Sequence, residues 1–105
     1  MLREIPRCFS LDKVLYTRHA RDEMEAEEFG EIREHEVYEA IADGKIIESY
    51  PEDEPYPSCL IFGRTSEKRP LHILCAYAKE LAQGIIITVY QPHPEVWEDF
   101  ERRKR

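Results

Sequence analysis

Only four glycines and three cysteines punctuate this 105-residue chain, and both shortages narrow what it can be. Gly30, Gly44, Gly63 and Gly84 each stand alone, so there is no glycine-rich phosphate loop, dinucleotide fingerprint or G-x-S-x-G elbow. Cys8, Cys59 and Cys75 leave an odd thiol and show no C-x-x-C spacing. That argues against a disulfide framework and a zinc ribbon, and buried thiols in a reducing compartment are expected. No run of apolar residues approaches the roughly 18 that a membrane-spanning helix needs; the longest, around Ile85 to Ile87, is strand-sized. The opening MLREIPRC has neither the continuous apolar stretch nor the small-residue cleavage site of a secretory signal, so a cytoplasmic protein without a membrane partner is expected. Histidine and carboxylate spacings that would complete a four-ligand metal site are missing too, and no metal and no cofactor are expected.

Acids outnumber bases by 22 to 15, a net charge of −7. The excess is local. Fourteen acids and three bases lie between Arg21 and Glu54, while the rest of the chain is mildly basic and ends in Arg102, Arg103, Lys104 and Arg105. A uniformly acidic surface would repel nucleic acid, but a surface of two signs need not. The run Glu23, Glu27, Glu28, Glu31 and Glu34 reads as a solvated helix face or as a docking surface for a basic partner. The 42% hydrophobic content and the length together suit one domain, residues 1–105, that buries about two-thirds of its unfolded surface.

Residues 1–15, with Pro6 and mixed polarity, predict an irregular arm or short helix. Thr17 is placed to cap a helix running to about Glu28, with Tyr16, Ala20 and Met24 near one face. A second helix is predicted over 33–43, because Val37, Ala40, Ile41 and Gly44 follow helical spacing and Gly44 suits a left-handed C-terminal position. Strands are predicted over 46–50, 58–65, 71–78 and 85–91, joined by short connections that favour an antiparallel meander. Pro94 suits the first turn of a terminal helix holding Val96, Trp97 and Phe100. The expected fold is α+β: two N-terminal helices packed on a four-stranded antiparallel sheet, with a short C-terminal helix. Alternation assigns Leu71, Ile73 and Cys75, with Ile85, Ile87 and Val89, to the helix-packed core. His72, Leu74 and Ala76, with Ile86, Thr88 and Tyr90, form the opposite face, a candidate binding face.

Imidazole suits proton transfer near neutrality. Of the four histidines, His35 sits in the acidic helix and His93 between two prolines, which leaves His19 at a helix start and His72 at a strand start as the candidates.

Several segments together resemble the bacterial domain-of-unknown-function family 4258, over about residues 13–92. They are Tyr16-Thr17-Arg18-His19-Ala20 with Met24, Gly30-x-Ile32 with Val37, Gly44-x-Ile46-Ile47-Glu48, Arg69-Pro70-Leu71-His72-Ile73, and Ile87-Thr88-Val89-Tyr90. The resemblance implies the fold of RelE-like toxins and related small ribonucleases, and a small zinc-finger antitoxin as partner. His19 matches the histidine of the family's T-x-H-A segment, Thr88 and Tyr90 its T-V-Y, and His72 a position often histidine in close relatives. Many members carry Arg-Gly before the isoleucine where this chain has Phe29-Gly30-Glu31; Arg18, Arg21 and Arg64 are candidate substitutes.

The expected function is a metal-independent endoribonuclease toxin of a type II toxin–antitoxin pair, with RNA as substrate. RNA supplies its own nucleophile, the 2′-hydroxyl. His19 or His72 would act as base or acid, Tyr90 would donate a hydrogen bond or proton, and Thr88 would orient a phosphate oxygen. Arg18, Arg21 or Arg64 would stabilise the growing charge. The alternative expectation is a non-catalytic protein-interaction module of the same fold.

Overall fold

Thr17 begins the first long helix as its sequence suggests. Its backbone is extended, its hydroxyl accepts a hydrogen bond from the Ala20 N–H at 3.1 Å, and the helix follows over Arg18–Ala26. The same hydroxyl donates to the Ile87 carbonyl at 3.0 Å, so the cap also fastens the helix to a strand. The computed structural model describes residues 3–104, which leaves Arg105 of the basic tail outside the described residues. In chain order the elements are α1 (Glu4–Ser10), β1 (Val14–Tyr16), α2 (Arg18–Ala26), α3 (Glu34–Asp43), β2 (Lys45–Tyr50), β3 (Ser58–Arg64), β4 (Pro70–Ala78), a single 3-10 turn (Lys79–Leu81), β5 (Gln83–Tyr90), β6 (Trp97–Glu98) and β7 (Arg102–Arg103).

The main sheet has the order β1-β5-β4-β3-β2. Strands β2 to β5 run as an antiparallel meander, but β1 joins its end parallel to β5, with Leu15 opposite Ile85. This overturns the expected two N-terminal helices on a four-stranded antiparallel sheet with a C-terminal helix. There are three helices and a five-stranded mixed sheet, and a small hairpin ends the chain. For residues 1–15 the short helix, one of the two readings open to them, is the one formed, and each departure has a cause. Pro6 falls in the first turn of α1, where a helix needs no N–H from it, and Ile5 and Cys8, three apart, are buried by that helix. A three-residue strand is too short to show a period, and its parallel partner lies some seventy residues away, beyond any argument from neighbouring connections. At the C-terminus, Trp97 is drawn into the protein and Asp99 and Phe100 take positive φ (53° and 62°), which turns β6 onto β7 instead of a helix.

One face of the sheet carries the helices and the main core: Ile61, Leu71, Ile73, Cys75, Ile86 and Val89 meet Ala20 and Met24 of α2 and Val37, Ala40 and Ile41 of α3. Helix α3 comes so close to β3 that a Cβ on Gly63 would lie 1.7 Å from the Ala40 carbonyl oxygen. Gly44 ends α3 with φ −84°, not in the left-handed conformation expected of it; its lack of a side chain is needed because a Cβ would sit 2.5 Å from Ile61 Cγ2. The three cysteines are buried and none is in a disulfide. No helix among the described residues is long and apolar enough to cross a membrane.

Two β-bulges decide what faces the other side. In β2 the pairing passes from Ile46–Ile61 to Glu48–Leu60, so Ile47 is the extra residue. Without it Glu48 would share the core side of Ile46; with it Glu48 and Tyr50 join Leu60 on the open side. In β5 the pairing passes from Leu74–Thr88 to Cys75–Ile86, making Ile87 the extra residue. The assignment of Ile85 and Ile87 to the core and Ile86 to the open face is therefore corrected. Ile86 and Val89 are the fully buried pair, and Thr88 and Tyr90 keep the open face.

Candidate functional site

The open face holds a groove of about 360 Å³ lined by Tyr50, Asp53, Leu60, Leu74, Thr88, Tyr90 and Arg103. Leu60 and Leu74 are cross-strand partners at its floor, Thr88 pairs with Leu74, and Tyr90 pairs with His72. The C-terminal hairpin closes one end. Its Trp97 packs edge-on against the His72 ring with centroids 4.4 Å apart, and Arg103 lies 4.6 Å over the Trp97 ring.

His72 is fully buried beneath this hairpin, and both ring nitrogens are bonded. Nε2 lies 2.6 Å from the Phe100 carbonyl oxygen, and Nδ1 lies 3.0 Å from the Tyr90 hydroxyl. A carbonyl can only accept, so Nε2 carries the proton. Burial pushes the His72 pKa down, against the Phe100 bond, which raises it. The ring is therefore neutral at pH 7, Nδ1 is a lone pair, and the Tyr90 hydroxyl donates to it. The result is a directed chain from Tyr90 through His72 to a backbone carbonyl. Burial also raises the Tyr90 phenol to about 12, so it keeps its proton in the resting state and turns its oxygen lone pairs toward the groove.

Across the groove, Glu48 accepts hydrogen bonds from the Tyr50 hydroxyl and from Arg103, whose Nε and Nη2 lie 3.2 and 3.4 Å from its two oxygens. Burial alone would raise the Glu48 carboxyl, but these bonds and the guanidinium charge outweigh it and hold the group below the usual range. Glu48 is thus an anchor that positions Arg103 at the rim. Asp53 stands nearby on the loop after β2, tied by its N–H to the Tyr50 carbonyl and by its carboxylate to the hydroxyl of buried Ser58.

The structure brings together three of the seven residues expected to act: His72, Tyr90 and Thr88. The others do not line the groove. His19 is exposed in the first turn of α2, on the helix-bearing side, with Nε2 3.3 Å from Glu23. Arg18 is exposed beside it, and Arg21 lies over the Tyr16 ring and pairs with Glu34. Arg64 covers the rings of Phe62 and Phe100 from outside, at 5.5 and 5.6 Å. Glu23 and Glu27, part of the dense acidic run, accept from the Val89 and Gln91 N–H groups, and so cap the edge of β5 beyond the end of β1. Among the described residues no group of three His, Cys, Asp or Glu side chains is placed to hold a metal ion.

The model of one protein family, the domain of unknown function DUF4258, matches residues 16–91. The chain belongs to that family. No curated protein and no solved structure matches it. Within this DUF4258 domain the matched stretch runs from the last residue of β1 to just beyond β5, so it holds His72, Thr88, Tyr90, Glu48, Tyr50 and Asp53. Phe100, Trp97 and Arg103 come from the hairpin outside it.

Sequence reasoning missed Arg103, Glu48, Tyr50 and Asp53. Arg103 was counted only as part of a basic tail, and Glu48 as one acid in an acidic block. The bulge at Ile47 that turns Glu48 and Tyr50 to the open side leaves no mark in a residue alternation, so the strand predicted over 46–50 did not show which face they take.

Proposed function

We propose that this DUF4258 domain is a metal-independent endoribonuclease, a RelE-like toxin of a type II pair restrained by a small zinc-finger antitoxin, and that the groove is its active site. The observation that carries the reading is the chain Tyr90–His72–Phe100 opening onto the groove beside Arg103. A base whose second nitrogen is fixed by a third group, with a hydroxyl on its first, is the arrangement that activates a weak acid. The 2′-hydroxyl of RNA gives its proton to Tyr90 as the Tyr90 proton passes to His72 Nδ1. The 2′-oxygen then attacks the adjacent phosphorus and the bond to the 5′-oxygen breaks. The leaving oxygen takes the proton back through Tyr90, which restores neutral His72 and leaves a 2′,3′-cyclic phosphate. Arg103 stabilises the charge on the phosphorane oxygens and Thr88 orients one of them. His72 is a positioning and relay residue; Tyr90 is the group that meets substrate.

The test is incubation of the purified protein with a single-stranded RNA and with DNA of the same sequence. RNA is expected to be cut to cyclic-phosphate ends and DNA left intact. Tyr90→Phe should slow cleavage by roughly 10²- to 10⁴-fold and Arg103→Ala by roughly 10²- to 10³-fold. Intact RNA, or cleavage indifferent to Tyr90→Phe, refutes the proposal.

A second reading, a non-catalytic interaction module, is favoured by one feature of the same groove. Glu48 already engages both Tyr50 and Arg103, so these polar groups satisfy one another without a substrate. On that reading RNA stays intact and expression in a bacterial host causes no growth arrest.

A further inference from the structure

The groove contains more than acid–base chemistry needs. Its floor, Leu60 and Leu74, is apolar, and Tyr50 and Tyr90 stand at its sides with their hydroxyls already tied, to Glu48 and to His72. Rings anchored at their outer ends offer fixed flat faces, the surface on which proteins stack unpaired bases. The volume of about 360 Å³ falls at the lower end of the range for small-molecule sites, suited to one nucleotide. Asp53 has no part in the relay, yet it is held in place: its carboxylate Oδ2 takes the Ser58 hydroxyl, Ser58 is only 3% exposed, and its N–H is bonded to Tyr50. Its Oδ1 has no partner among the described residues.

An ionised carboxylate is acceptor-only, and its two oxygens are matched by two adjacent donors. Guanine alone among the four RNA bases offers them, as N1–H beside the exocyclic N2 amine. Adenine and cytosine place their amine next to a ring acceptor, and uracil sets its single N–H between two carbonyls. We propose that Asp53 makes this groove a guanosine-reading site, with the base stacked on the groove floor between Tyr50 and Tyr90, its N1–H and N2–H on the Asp53 oxygens, and its phosphate at Arg103. The ligand is a guanosine within single-stranded RNA. This deepens the ribonuclease reading and rests on it for the placement of the ribose at Tyr90, but recognition of the base is measurable without cleavage.

The experiment is calorimetric titration of the full-length protein with the 3′-monophosphates of guanosine, adenosine, cytidine and uridine, and with RNA hexamers carrying one guanosine or none. To prevent cutting, each hexamer has a 2′-O-methyl group at the residue that would supply the nucleophile. The guanosine nucleotide is expected to bind at least tenfold more tightly than the other three, and the guanosine hexamer more tightly than the free nucleotide. Asp53→Asn, which replaces one acceptor with a donor, should abolish the preference, bringing the guanosine nucleotide to within about twofold of the other three, while the melting temperature shows that the fold is kept. Ser58→Ala, which frees the carboxylate, should reduce the preference severalfold. Equal binding of the four nucleotides, no binding of any, or an Asp53→Asn variant that still prefers guanosine overturns the proposal. A hexamer that binds less tightly than the free nucleotide overturns the assignment to RNA. Guanosine preference in a protein that does not cut unmodified RNA would sink the ribonuclease reading and spare this one; cutting without base preference would do the reverse.

Discussion

Replacing His72 with phenylalanine keeps a ring against Trp97 and removes both nitrogens that join the hairpin to β5. The consequences on the two sides differ. The Phe100 carbonyl loses its donor beneath the hairpin, and a buried acceptor left without a partner costs about 1–3 kcal/mol. The Tyr90 hydroxyl borders the groove and turns to water, so only the net worth of a hydrogen bond is lost there, about 0.5–1.5 kcal/mol. A destabilisation of about 2–4 kcal/mol is expected for His72→Phe, which urea unfolding followed by circular dichroism resolves readily. Because the two residues share one bond, His72→Phe combined with Tyr90→Phe should cost about 1 kcal/mol less than the separate losses imply. A loss below about 0.5 kcal/mol for His72→Phe, or strict additivity with Tyr90→Phe, would refute the directed chain from Tyr90 to Phe100.

The pH dependence of stability follows from the same burial. His72 has its pKa lowered in the folded protein, whereas in the unfolded chain it titrates near 6.5. Below about pH 6.5 the unfolded state therefore takes up a proton that the folded state refuses, and this contribution to stability, complete above that pH, falls as pH drops toward the folded value. The unfolding free energy of the wild type should decline more steeply than that of His72→Phe between about pH 6.5 and 5; parallel curves would show that His72 is not held neutral. Gly63→Ala should cost about 3 kcal/mol or more, since its Cβ would meet backbone atoms of Ala40 that no rotamer change can move. Gly30→Ala, with φ +110° and open space around it, should cost only about 1 kcal/mol, and comparable midpoints for the two variants would contradict the close α3–β3 approach. Arg69 bonds Gln91 at 2.7 Å, Glu36 at 3.2 Å and the carbonyls of Gly30 and Glu31. Arg69→Ala should raise hydrogen exchange in the loop between α2 and α3, and Arg69→Lys should not restore protection, because one ammonium cannot span a planar fork of partners.

Much of the local structure was legible because it depends on near neighbours. Thr17 announces a cap, the spacing of Val37, Ala40 and Ile41 announces a buried helix face, and β3 and β4 read as strands from their apolar content. The open-face residues His72, Thr88 and Tyr90 were also readable, since β4 keeps its alternation and the bulge in β5 falls before Thr88. Ile86 was misassigned because that same bulge lies between it and the readable part of the strand. β1 was invisible: three residues carry no period, and what stabilises them is a strand late in the chain. The terminal hairpin was mistaken for a helix because Pro94 and the spacing of Val96, Trp97 and Phe100 suit one locally, while the burial of Trp97 on His72 is a long-range fact.

The amino-acid order alone therefore determined an α+β chain of the DUF4258 kind, with an acidic helical segment and a strand face bearing a histidine, a threonine and a tyrosine. Only the tertiary structure decided that His72 is buried and neutral, that His19 lies away from the groove, and that Tyr50, Asp53 and an Arg103 anchored by Glu48 share the groove with Tyr90. The reason is geometric. Capping and side-chain periodicity act over three or four residues, whereas a groove is assembled where two single-residue bulges and a C-terminal hairpin bring together residues dozens of positions apart.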